Sequence, residues 1–137
     1  MWSSERMTLG GYLRAVAAGL EDAGLPVADW RADPGEGWIP FDRRRPSIVA
    51  WEHDQAGLTW SESDGWALLL VNSPGRRRTV PLAVPLLAAP ASIALAVATW
   101  AGVPLPPNRP TPNPDAVPDF DGPAGTQQFA RALARYA

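Results

Sequence analysis

The sequence predicts an α+β fold: a mostly antiparallel meander sheet of four or five strands, covered by two helices, with a proline-rich C-terminal arm ending in a short helix. Three observations carry this. One apolar stripe at helical spacing runs through residues 8–24. Turn signals cut residues 46–82 into short apolar or alternating runs. Eight prolines fall between residues 103 and 123, where large apolar side chains are nearly absent. The expected organisation is one α+β domain over residues 1–103, a proline-rich linker over 104–122 and an amphipathic helix over 123–137.

In the first helix Leu9, Tyr12, Leu13, Val16, Leu20 and Ala23 share one face. Thr8 suits its N-cap, Gly24 a left-handed end that folds Leu25 back onto Leu20, and Pro26 stops it. Pro26 to Arg31 reads as a short strand with Trp30, and Asp33-Pro34-Gly35-Glu36-Gly37 as a turn. Trp38 and Phe41 fall in a short irregular or strand segment. The meander follows: a strand Ile48 to His53, a turn over Asp54-Gln55-Ala56-Gly57, a strand Leu58 to Glu62, and a hairpin turn Ser63-Asp64-Gly65. A central strand Trp66 to Asn72 and a strand Arg76 to Leu82 complete it, with Pro81 marking the last as an edge. Pro90 opens a helix over 90–102 that places Ile93, Val97 and Trp100 on one face. In the last helix Phe129, Leu133 and Tyr136 recur at helical spacing.

At 137 residues the chain is about one domain, and its 46% hydrophobic content supports a packed core. A net charge of −2 excludes a generally basic nucleic-acid binder. With no cysteine and one histidine there is no disulfide, thiolate site or multi-histidine metal site, so no metal and no cofactor are expected. All twelve basic residues are arginine, which a GC-rich coding sequence would produce. Residues 1–6 show no signal peptide, giving the expectation of a cytoplasmic protein. Residues 79–108 lack charge, but Pro81, Pro85, Pro90, Pro104 and Pro106 break them up, so a strand and a buried helix are expected there and no membrane span.

The run Gly24-Leu25-Pro26-Val27-Ala28-Asp29-Trp30 after an alanine-rich helix, followed by Trp60-x-Glu62-x-x-Gly65-Trp66 on a hairpin, resembles a family of short actinobacterial proteins of unknown function. The resemblance spans residues 8–101 and implies the order helix, strands, helix. It implies no activity, and the proline-rich tail is not part of it.

Candidate sites follow from residue chemistry. Arg43, Arg44 and Arg45, and Arg76, Arg77 and Arg78, are candidate anion contacts. The meander as read puts the two triplets at opposite ends of the sheet, which makes nucleic acid an unfavoured partner. His53 and Glu62 are the only weak catalytic candidates, and neighbouring strand residues such as Glu52 and His53 point to opposite faces. Trp51, Trp60 and Trp66 are expected to form an aromatic groove or half of the core, with Trp60 opposite Trp66 across the hairpin. Phe129, Leu133 and Tyr136 offer an apolar helix for a partner, for a second copy or for the chain's own body, and Pro107-Asn108-Arg109-Pro110 has Pro-x-x-Pro spacing. The leading expectation is a non-enzymatic protein-binding or adaptor module that self-associates or docks a partner through its C-terminal arm. The alternative is a small cofactor-free enzyme or binder of a small apolar ligand in a tryptophan-lined pocket.

Overall fold

The computed structural model describes residues 2–72, 75–104 and 119–136, with side chains from Leu9 onward. Helix α1 (Trp2–Asp22) leads into strands β1 (Arg31–Asp33), β2 (Glu36–Pro40), β3 (Gln55–Ser61), β4 (Gly65–Asn72) and β5 (Arg76–Pro81), and helices α2 (Pro90–Ala101) and α3 (Gln127–Ala134) follow. The strands form one antiparallel sheet in the order β1-β2-β3-β4-β5. This is the predicted α+β meander, with β5 at an edge. The Pro-x-x-Pro run at 107–110 lies outside the described residues.

The predicted stripe of α1 is the buried one: Leu9, Tyr12, Leu13, Val16, Leu20 and Ala23 all enter the core. The helix ends where Gly24 takes a φ of 89°. There Gly24 N–H donates to the Glu21 carbonyl (3.0 Å) and Leu25 N–H to the Leu20 carbonyl (2.8 Å), so the last carbonyls are satisfied as the chain reverses. The start differs from expectation. No proline interrupts residues 2–9, so the helix runs back to Trp2 and Thr8 lies inside it rather than capping it.

Two strand expectations are corrected. Residues 48–53 form no strand. Ile48 N–H donates to the Gly24 carbonyl (3.0 Å) and Val49 N–H to Ser47 Oγ (3.1 Å), so this apolar run is an irregular segment packed on the core. The pairing strand is β3, which begins at Gln55, inside the predicted turn. The strand expected at 26–31 is instead a single bridge between Val27 and Phe41, with β1 beginning at Arg31.

The inner face of the sheet carries Ile39, Leu58, Trp60, Trp66, Leu68 and Leu70, all buried. Helix α1 packs there closely enough that a Cβ on Gly37 would lie 2.8 Å from Leu13. Helix α2 packs on α1, and a Cβ on Gly19 would meet Pro90 at 2.6 Å. The C-terminal segment belongs to the same core. Leu87 and Phe120 exchange two backbone hydrogen bonds of 3.1 Å. The Asp119 carboxylate accepts from Ala89 N–H (2.5 Å) and the Ser92 hydroxyl (3.3 Å), which supplies the cap that α2 lacks in its own first turn. Thr126 Oγ1 caps α3 through Phe129 N–H (3.1 Å).

Candidate functional site

Trp60 and Trp66 stand directly opposite each other, as predicted, but they fill the core. The Trp66 indole N–H donates to the Tyr12 hydroxyl (3.0 Å), which donates to the Ala88 carbonyl (2.6 Å). The Trp60 indole N–H donates to the Leu86 carbonyl (2.7 Å), and its ring stacks on Phe129 at 6.4 Å. Every polar atom these rings bring inside is therefore paired. Trp51 is half-buried outside the sheet, stacked with Phe41 at 4.7 Å and Trp100 at 6.3 Å. The three tryptophans do not line one groove.

The apolar face of α3 is turned inward. Phe129 and Leu133 are each 3% exposed, and Tyr136 meets Tyr12 edge-on at 4.8 Å. In this fold Phe129 and Leu133 are part of the chain's own core, and Tyr136 is partly buried against it. His53 and Glu62 also fail to converge. One precedes and the other follows the seven-residue β3, a separation of roughly 20 Å or more. Among the described residues no group of three or more histidine, aspartate or glutamate side chains could hold a metal ion.

The arginine triplets are relocated. Because β2, not a 48–53 strand, precedes β3, both triplets lie at one end of the sheet. Arg43 Nη1 donates to the Asp54 carbonyl (2.7 Å), Asp54 N–H donates to Asn72 Oδ1 (3.2 Å), and Asn72 pairs with Arg76 across β4 and β5. Arg45 pairs with Glu21 through two bonds of 2.7 and 2.6 Å. Glu21 also accepts from Val27 N–H (2.9 Å). The Arg45 hydrogen bond holds the Glu21 carboxyl below the ordinary glutamate range against the opposing effect of burial. A lowered folded-state pKa contributes stability above the unfolded value that fades as pH falls. Acidification should therefore release Arg45 and the Val27 amide together. A Val27 amide shift titrating below ordinary glutamate checks this; a midpoint at the ordinary value contradicts it.

The residue that sequence reasoning passed over is Trp38. It alternates with buried Ile39 on β2, so it faces the other side of the sheet. Its ring lies across Gly57, where a Cβ would come within 2.7 Å of Cζ3. Thr59, Ala67, Leu69, Val71, Thr79 and Pro81 continue this outer face. An open groove of about 620 Å³ crosses it from Trp38 over Thr59 and Ala67 to Thr79 and Pro81. Among the described residues no helix packs on this side. The centre of the face has no charged side chain, while Arg31, Asp33, Glu36 and Arg77 lie at its rim. No helix of the described residues is long and apolar enough to cross a membrane.

Comparison with known families matches residues 12–99 to one whose description is a family of unknown function, DUF6292. No curated protein and no solved structure matches the chain.

Proposed function

This chain belongs to the DUF6292 family of unknown function, and we infer that it is a cytoplasmic, non-enzymatic protein-binding module whose docking surface is the outer face of the sheet and whose occupant is a second copy of itself. The observation that supports this most is a sheet face that no helix of the described residues covers, with an uncharged centre and a rim of both signs, the pattern of a protein interface. Two like faces meet there without a field of one sign opposing them. The burial of Phe129 and Leu133 supports a docking surface on the sheet in preference to one on the C-terminal helix. The tryptophan-pocket alternative loses support because Tyr12, Trp60 and Trp66 fill the space that a ligand would need.

The size of the face sets the expected strength. Five strands at about 4.8 Å spacing, with some six residues at about 3.3 Å each, give a face of roughly 24 by 20 Å. Two copies would bury about 1,000 Å² in total, the lower limit of specific interfaces, so a weak reversible dimer is expected. Sedimentation equilibrium tests it: the average mass should rise from monomer toward dimer across the micromolar range. Leu69→Arg, at a half-buried outward position, should abolish the rise and leave the melting temperature nearly unchanged. A wild-type chain that stays monomeric, or a Leu69→Arg chain that still associates, would contradict the reading.

A further inference from the structure

We propose that the irregular segment between β2 and β3 forms a binding site for a phosphate group, centred on Arg43. An open surface depression of about 280 Å³ is lined there by Arg43, Arg45, Ser47, Val49, Ala50 and Trp51. The Arg43 guanidinium is fixed by two backbone carbonyls, those of Asp54 (2.7 Å) and Trp51 (3.4 Å). Carbonyls orient a cation without neutralising it, and a guanidinium has five N–H donors, so three remain for a ligand. Arg45 forms a second wall. It is held by Glu21, so Arg43 is the lining arginine whose guanidinium is bonded to carbonyls and not to a carboxylate.

Other residues of the lining carry donors as well. Ser47 Oγ accepts from Val49 N–H, which leaves its own proton to donate. The backbone N–H groups of Ala50 and Trp51 find no acceptor among the described residues. Arg76, Arg77 and Arg78 lie at the same end of the sheet and add positive potential. Asp42, Glu52 and Asp54 oppose it. With Glu21 and Asp22 they set five acidic side chains against six arginines, an excess of one positive charge.

The dimensions and chemistry select the ligand class. A tetrahedral oxyanion offers several acceptors to a fixed guanidinium fork, a hydroxyl and backbone N–H groups. The volume lies at the small end of ligand pockets, enough for a phosphate with a short substituent. The rings of Trp51 are already stacked on Phe41 and Trp100, so a flat ring on the ligand gains little there. The shared chemistry is a phosphate group, carried by the free anion or by a small ester.

The test titrates the full ¹⁵N-labelled chain with inorganic phosphate and, separately, with glycerol phosphate, against sodium chloride of equal ionic strength. The Ala50 and Trp51 amides should shift saturably with phosphate and not with chloride. Tighter binding of glycerol phosphate would identify an ester as the occupant, and equal or tighter binding of inorganic phosphate the free anion. Arg43→Gln should weaken binding by about tenfold or more. It also removes the bonds that close the segment, so Ala50→Glu is the second variant: it places a carboxylate on the exposed lining and leaves those bonds intact. It should weaken binding comparably, while Arg77→Gln should change it by less than about twofold. The proposal is overturned if neither probe shifts the two amides, if Ala50→Glu binds as wild type, or if Arg77→Gln weakens binding as much as Arg43→Gln.

Discussion

A chain truncated after Val103 is expected to lose cooperative folding. The sequence places a domain boundary there, yet the core extends past it. Truncation removes the Asp119 carboxylate that caps α2, the Phe120 bridge to Leu87 and the Phe129 ring stacked on Trp60. It also removes Phe129, Ala132 and Leu133 from the core, all buried in the full chain. Cutting a buried phenylalanine to alanine typically costs about 3–5 kcal/mol and a buried leucine about 2–5. A whole domain has only about 5–15 kcal/mol of stability, so losing the segment removes most or all of it. Thermal melts by near-ultraviolet circular dichroism check this. Phe129→Ala alone should lower the midpoint by roughly 10 °C, and the truncated chain should show no cooperative transition. A truncated chain that melts within a few degrees of the full one would contradict this and favour a domain that ends at residue 103.

Replacing Tyr12 by phenylalanine should destabilise the protein by about 2–4 kcal/mol with the ring kept in place. The Tyr12 side chain is fully buried, and its hydroxyl accepts from Trp66 and donates to Ala88. Removing that oxygen leaves a buried donor and a buried acceptor without partners. The same hydroxyl dictates the response to alkali. Burial pushes the Tyr12 phenol well above the ordinary tyrosine range, partly offset by the bond from Trp66, and burial raises Tyr136 as well. The unfolded chain therefore loses these protons first. Stability is full below the ordinary tyrosine pKa of about 10 and falls as pH rises above it. The chain contains no lysine or cysteine and only two tyrosines, so this alkaline loss belongs largely to Tyr12 and Tyr136. Denaturant midpoints between about pH 8 and 11 should fall steeply for wild type and less steeply for Tyr12→Phe. Equal slopes would contradict the assignment.

Legibility in the sequence followed the strength of local signals. The stripe of α1, the Trp60–Trp66 hairpin, the edge strand β5 and the proline-led α2 were all readable, because each combines a period with a turn or a breaker. Residues 48–53 misled because Ile48, Val49 and Trp51 have strand-forming side chains, while their backbone groups turn to Gly24 and Ser47. Gly57 misled for a different reason. It looked like a turn residue, but it lies within β3 because the Trp38 ring needs the space a side chain would fill. That contact joins residues far apart in the sequence, and no local pattern shows it.

The candidate sites were legible as residue types and not as placements. Tryptophans on a hairpin said nothing about which face the helices would cover. Those singled out, Trp60 and Trp66, became core, and the overlooked Trp38 became surface. The arginine triplets changed places relative to each other when one predicted strand proved to be a loop, since one strand more or less reverses the end at which the chain emerges.

The outer face of the sheet is tested most directly by the seven tryptophan indole N–H resonances of the full chain, followed from dilute to concentrated solution. Docking through that face predicts that the Trp38 resonance moves with concentration, and that Leu69→Arg stops it moving. The resonances of Trp60 and Trp66, bonded to Leu86 and Tyr12 inside the core, should stay in place. A Trp38 resonance that is unchanged at every concentration, or movement confined to Trp51 and Trp100, would contradict it.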